Sequence, residues 1–130
     1  MKNPIVHFEI PADNVERAKK FYEKTFGWSI EKFEMPGGDY WIVRTVEVDK
    51  NMMPTKPGAI NGGIMKRKNA GQPFMNYISV QSIDEMSETI KAHGGIMIMP
   101  KQEIGKGMGW IAAFKDTEGN IMGLHQEAKK

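Results

Sequence analysis

The stretch VHFEIPADNVERAKKFYEKTFGW, residues 6–28, decides the reading of the fold. It opens with alternation: Val6, Phe8 and Ile10 share one side of an extended segment, and His7 and Glu9 share the other. Pro11-Ala12 breaks the strand. Asp13-Asn14-Val15-Glu16 then has the spacing of a capping box, an acceptor side chain with Glu three residues on, which makes Asp13 the expected cap. Val15, Ala18, Phe21, Tyr22 and Phe26 recur at helical spacing and predict an apolar stripe. Gly27 suits the left-handed position that ends a helix. Residues 28–33 read as the next strand.

The pattern then continues and repeats. Pro36-Gly37-Gly38-Asp39 is a turn, 40–48 a strand, 49–57 a polar loop, and 59–65 a strand containing Gly62-Gly63. After the Gln72-Pro73 link, 75–80 is a strand. Ser82-Ile83-Asp84-Glu85 is a second capping box, and Ile83, Met86 and Ile90 form a second stripe that ends at Gly94-Gly95. Residues 96–99 form a strand ended by Pro100, 101–108 a loop and 109–114 a strand. Asp116-Thr117-Glu118-Gly119-Asn120 is a tight turn, 121–126 the last strand, and 128–130 a tail expected to fray. His7 and Gly27 are as far apart as Met75 and Gly95. The expected fold is α+β, with two tandem βαβββ modules at about 4–67 and 73–127 within one domain, 1–130. Modules this small are marginal alone and are expected to share one fold.

Composition narrows the function classes. A net charge of +2 argues for neither nucleic acid nor an anionic membrane as partner. The one basic run, Lys66-Arg67-Lys68, reads as a solvated loop. Without cysteine there is no disulfide, no thiolate metal site and no thiol nucleophile. No apolar stretch is long enough to span a bilayer, and the N-terminal residues show no signal-peptide core, so a cytoplasmic protein is expected. Eleven methionines offer adaptable core or pocket walls.

Val6-His7-Phe8-Glu9-Ile10, Ala18-Lys19-Lys20-Phe21-Tyr22 leading to Phe26-Gly27-Trp28, and Asp116-Thr117-Glu118-Gly119-Asn120 together resemble the vicinal oxygen chelate superfamily. That superfamily includes glyoxalases, bleomycin-resistance proteins and extradiol dioxygenases. The small subgroup related to lactoylglutathione lyase is the nearest look, through Ile60-Asn61-Gly62-Gly63, Asn76-Tyr77-Ile78 and Gly123-Leu124. The resemblance implies curved mixed sheets around a shared cavity and a homodimer in which modules can be exchanged. It also implies four metal-ligand positions on the first and last strands of each module, here His7, about Gly62, Met75 and Gly123. Only His7 is a family-type ligand. Glycine has no side chain, and a thioether suits these ions poorly. No metal ligand set, no divalent metal and no other cofactor are therefore expected. A rescue site from His7, Glu9 and His125 is the alternative, whereas a one-residue slip would bring Asn61 or Asn76 inward without restoring a cage.

The residues assigned to a ligand are His7, Glu9, Trp41, Met75, Tyr77, Trp110 and His125, with His7, Glu9 and Tyr77 as candidate catalytic groups. Each has a plainer reading. His7 can be a hydrogen-bonded structural histidine, Trp41 and Trp110 can be core aromatics, and His125 can be a solvated edge residue. An inward carboxylate such as Glu9 needs a partner, water or a ligand. His93 is read as a helix-end residue. The expected function is metal-free binding of a small molecule in the cavity between modules. The alternatives are a lyase- or isomerase-like enzyme using His7 or Glu9, with or without an atypical metal, and an interaction module with no small ligand. Sequestration of a cationic drug ranks lower, for want of an acidic groove.

Overall fold

A computed structural model describes residues 2–128; Lys129 and Lys130, at the end of the tail expected to fray, lie outside the described residues. The elements run β1 (Ile5–Ala12), α1 (Val15–Phe26), β2 (Ser29–Met35), β3 (Gly38–Arg44), β4 (Gly62–Lys66), β5 (Met75–Ser79), α2 (Ile83–Ala92), β6 (Ile96–Glu103), β7 (Trp110–Lys115) and β8 (Ile121–Gln126). The fold is α+β, and the order βαβββ occurs twice, as the sequence reads. The chain divides into two compact units. One spans His7–Phe74; the other gathers the described residues up to Val6 and from Met75 onward.

In the first unit the strand order is β2-β3-β4-β1. The first and last strands pair in parallel, and the others pair antiparallel. Helix α1 covers one face. Phe8, Ile10 and Ala12 of β1 meet Val15, Ala18 and Tyr22 of the helix there, with Ile30, Trp41, Val43 and Ile64 from the other strands. Ile64 and Val43 are fully buried, each worth about 1.5–3 kcal/mol in removed apolar surface.

The helix starts one residue later than a capping box opened by Asp13 requires. Asn14 is the cap, its Oδ1 accepting from the Arg17 N–H at 3.0 Å. Asp13 instead pairs with Arg67 at 2.9 Å. The apolar stripe is also narrower than expected. Phe21 is 55% exposed and Phe26 59% exposed, because Phe21 sits about a quarter of a turn away from the line through Val15, Ala18 and Tyr22. Phe26 is the last helical residue. Its ring leans on Tyr22 and on Trp28, which itself stacks on Tyr22 at 4.9 Å.

Strands β3 and β4 are shorter than the expected 40–48 and 59–65. The cause is local: Asn61 Oδ1 accepts from the Thr45 N–H at 2.8 Å and the Val46 N–H at 3.4 Å, and Thr45 Oγ1 donates to the Ile60 carbonyl at 2.9 Å. These side-chain bonds replace the ladder.

In the second unit the order is β5-β8-β7-β6, again with the first and last strands parallel. Ile78 and Val80 face α2 with Ile83, Ala112 and Leu124. Ser82 caps α2, accepting from the Glu85 N–H at 3.1 Å, as its capping box requires. Strand β6 does not stop at Pro100 but runs to Glu103 through two register shifts. It is the last strand in the order, so proline's missing N–H removes no ladder bond on the outer side. The Asp116 turn is closed by its own carboxylate, which accepts from the Glu118 N–H at 2.8 Å and the Asn120 N–H at 2.9 Å. Among the described residues no helix is long and apolar enough to cross a membrane.

Candidate functional site

Alternation assigns the face of the first unit turned away from α1. Since Phe8 and Ile10 point to the helix, His7 and Glu9 point to the other side. Trp41 and Val43 belong to the core, so Tyr40, Ile42 and Arg44 share the face of His7. The register pairs Phe8 with Gly62 and Glu9 with Gly63. Gly62 therefore lies on the helix side, where an added Cβ would strike Phe8. Gly63 lies on the side of Glu9. This corrects the expected ligand register by one residue. The repeat spacing equates Glu9 with Tyr77, and Tyr77 pairs with Gly123, so Gly63 rather than Gly62 is the counterpart of Gly123.

The geometry centres on Tyr40. Its hydroxyl lies 2.7 Å from His7 Nε2. The two rings are near parallel, at 18°, with centroids 6.4 Å apart. In one tautomer the phenol donates to Nε2; in the other Nε2–H donates to the phenol oxygen. Tyr40 reaches His7 by crossing over Gly63, where a Cβ would collide with the tyrosine hydroxyl and ring. Glu9 stands two residues along β1 from His7, beside Gly63 in register, and like His7, Tyr40 and Arg44 it is half-buried. A half-buried imidazole, phenol and carboxylate on one face can bind a polar small molecule and move a proton.

In the second unit Met75, Tyr77, Gly123 and His125 share the face away from α2, again by register. Tyr77 is 3% exposed, and its ring lies over Gly123, where a Cβ would strike it. His125 Nε2 donates to the Met108 carbonyl at 3.3 Å in the matching tautomer. His93 Nδ1 bonds the Thr89 carbonyl at the end of α2. Trp41 and Trp110 are placed with the cores: Trp41 is buried beneath α1, and Trp110 packs on the α2 cluster under Lys101. Among the described residues, no group of three or more His, Cys, Asp or Glu side chains is placed to hold a metal ion. A cleft of about 340 Å³ in the second unit, bordered by Asn3, Ser79 and Gln81, has only Lys2 and Glu127 as charged members and forms no titratable cluster.

Tyr40 and Arg44 were not singled out by the sequence reading, and Gly63 was noted only within the Gly62-Gly63 strand. The signal was present: period-two alternation from the buried Trp41 and Val43 turns Tyr40 and Arg44 to the other face.

The family model for the Glyoxalase/Bleomycin resistance protein/Dioxygenase superfamily matches residues 4–123. A glyoxylase-like domain-containing protein of Didymella fabae is 34% identical over 118 residues, 86% of this chain and 84% of that protein. The glyoxylase-named CFP32 of Mycobacterium tuberculosis is 32% identical over 84% of this chain, which spans only 40% of that protein's length. A methylmalonyl-CoA epimerase of Streptomyces coelicolor, solved with 2-nitronate-propionyl-CoA, has the same fold at TM-score 0.71 and 14% identity, over 98% of this chain and 96% of that one. The fold, the matched span and the relatives together place this chain in the glyoxalase/bleomycin resistance protein/dioxygenase superfamily.

Proposed function

We propose that the chain binds a small molecule against the His7, Glu9 and Tyr40 face of its first unit, without a divalent metal. The observation that carries this reading is the 2.7 Å His7–Tyr40 bond, which the absence of a side chain at Gly63 permits. A cage for Zn, Ni or Mn needs three or four donors. Of the four positions implied by the family, only His7 offers a suitable one, and its Nε2 is engaged by Tyr40. Tyrosine rings cover Gly63 and Gly123, and Met75 is a soft thioether.

A ligand screen by thermal shift tests this. A compound should raise the melting temperature of the wild type and lose that effect in His7→Ala, Glu9→Ala and Tyr40→Phe. If no compound shifts the wild type, an interaction module becomes the better description. Stoichiometric Ni, Zn or Mn binding that disappears in His7→Ala would overturn the metal-free reading.

The same pair favours a second reading, an isomerase- or lyase-like enzyme that moves a proton. His7 or Glu9 would take a proton from carbon, and the phenol of Tyr40 would supply one. The scaffold is shared with the Streptomyces epimerase, so it can house such chemistry. Solvent deuterium entering a bound carbon acid, at a rate reduced in Tyr40→Phe, is the expected result. Absence of exchange for every bound carbon acid would leave binding alone.

A further inference from the structure

Among the described residues three buried side-chain N–H groups have no partner, all in the first unit, and two of them are Arg44 Nε and Asn61 Nδ2. These two belong to neighbouring positions. Val43 pairs with Gly62 across β3 and β4, so one step further the register sets Arg44 opposite Asn61. The 2.8 Å bond from the Thr45 N–H to Asn61 Oδ1 confirms that the strands are still in contact there. The orientation of the Asn61 amide is fixed, because its oxygen accepts from the backbone N–H groups of Thr45 and Val46. Exchanging oxygen and nitrogen would set donors against donors. Nδ2 is therefore the free end, and it is a donor.

Arg44 lies on the same face as His7 and Tyr40. Among the described residues its side chain makes no hydrogen bond and no ion pair. The carboxylate nearest in register on β2 is Glu31, which neighbours Ile42 and is exposed. A buried donor left unpaired costs about 1–3 kcal/mol, more where the group is charged. Two such donors at positions opposed in register, one on a guanidinium, call for an acceptor that the chain itself does not provide. Trp41 Nε1 is a third unpaired donor, but it lies with the core beneath α1 and does not join them.

We propose that Arg44 and Asn61 form an oxyanion subsite that takes a carboxylate or phosphate group of the small molecule facing His7 and Tyr40. This rests on the reading of that face as ligand-binding. The ligand class is then an anionic small molecule, gripped at one end by Arg44 and Asn61 while its uncharged part meets the imidazole and phenol.

The test uses the side-chain ¹H–¹⁵N signals of the full chain, with Arg44 Nε and Asn61 Nδ2 assigned by their loss in variants. Sodium succinate, sodium acetate and inorganic phosphate are titrated separately against sodium chloride at matched ionic strength. A saturable shift of both signals is expected with the carboxylates, the phosphate or both, and the responding salt identifies the anion. Arg44→Gln and Asn61→Asp should each weaken it about tenfold or more. Asn61→Asp keeps an oxygen for the Thr45 and Val46 N–H groups, so the strand end is retained while the donor is removed. No saturable response to any of the anions, or a response unchanged in both variants, overturns the subsite and leaves water as the partner of these donors. The outcomes separate from those of the function proposed above. If screened ligands depend on His7 but the anions are silent, only the subsite fails. If the anions bind at Arg44 and no ligand depends on His7 or Tyr40, the subsite stands and the His7–Tyr40 reading fails.

Discussion

The hydroxyl of Tyr40 stands where the side chain of any residue other than glycine at position 63 would begin. One backbone position thus decides whether the phenol can reach His7, 2.7 Å away. Gly63→Ala should displace Tyr40, break that bond and destabilise the fold by about 1–3 kcal/mol, the usual range for overpacking. Chemical unfolding of Gly63→Ala, Tyr40→Ala and the double variant checks it. The double variant should lose less than the sum of the singles, because Tyr40→Ala removes the collision. Strict additivity would show that the two residues do not interlock.

The second unit makes the matching prediction. Tyr77 lies over Gly123, its partner in register. Gly123→Ala should cost a similar ~1–3 kcal/mol and increase the exposure of Tyr77. Quenching of tyrosine fluorescence in single-tyrosine variants reads the exposure directly. An unchanged signal and unchanged stability would mean that the ring has room to move.

Tyr40→Phe removes the hydroxyl and leaves the ring. We expect a loss of about 0.5–1.5 kcal/mol, the usual net value of one such bond, and a changed tautomer balance at His7. Imidazole ¹⁵N shifts measure that balance. A balance equal to that of the wild type would show that the phenol does not set it.

The identity of the α1 cap can be settled by two substitutions. Asn14→Ala should cost about 1 kcal/mol through loss of the bond to the Arg17 N–H. Asp13→Ala removes only an ion pair whose carboxylate is largely exposed, worth about 0–1 kcal/mol. The reverse ranking would restore Asp13 as the cap.

Asp116 gives the pH dependence. The Asn120 backbone N–H, and next that of Glu118, hold its carboxyl below the ordinary value. A lowered folded-state value stabilises the fold above the unfolded-state value, about 3.9 for a free aspartate, and that contribution is lost as pH falls through the folded-state value. An NMR titration of the Asp116 carboxyl should therefore show its midpoint below that of a free aspartate. In Asp116→Asn the stability should depend less on pH over the acid range.

Most of the fold was legible because its signals are local. Alternation in β1, Gly27 at the end of α1, the Ser82 cap and the repeat spacing each depend on a few neighbouring residues, and the elements follow from them. The errors arose where a side chain outcompeted a local rule. Asn14 took the cap from Asp13, and Asn61 ended β3 and β4 early by bonding Thr45 and Val46. The candidate site was only half legible. His7 and Glu9 follow from β1 alone. The Tyr40–Gly63 interlock and the Arg44–Asn61 neighbours depend on the pairing of β3 with β4, which joins residues far apart in sequence.

Strand β6 has a consequence for solubility. Ile96-Met97-Ile98-Met99 is an uncharged, apolar segment at the end of its strand order, with Ile96 61% exposed and Ile98 45% exposed. Such a segment is a template on which strands of other molecules can add. The register shifts distort the ladder, Pro100 offers no N–H to an incoming chain, and Lys101 adds charge immediately after it. These features act as gatekeepers: the strand closes its own sheet while resisting growth into a fibril.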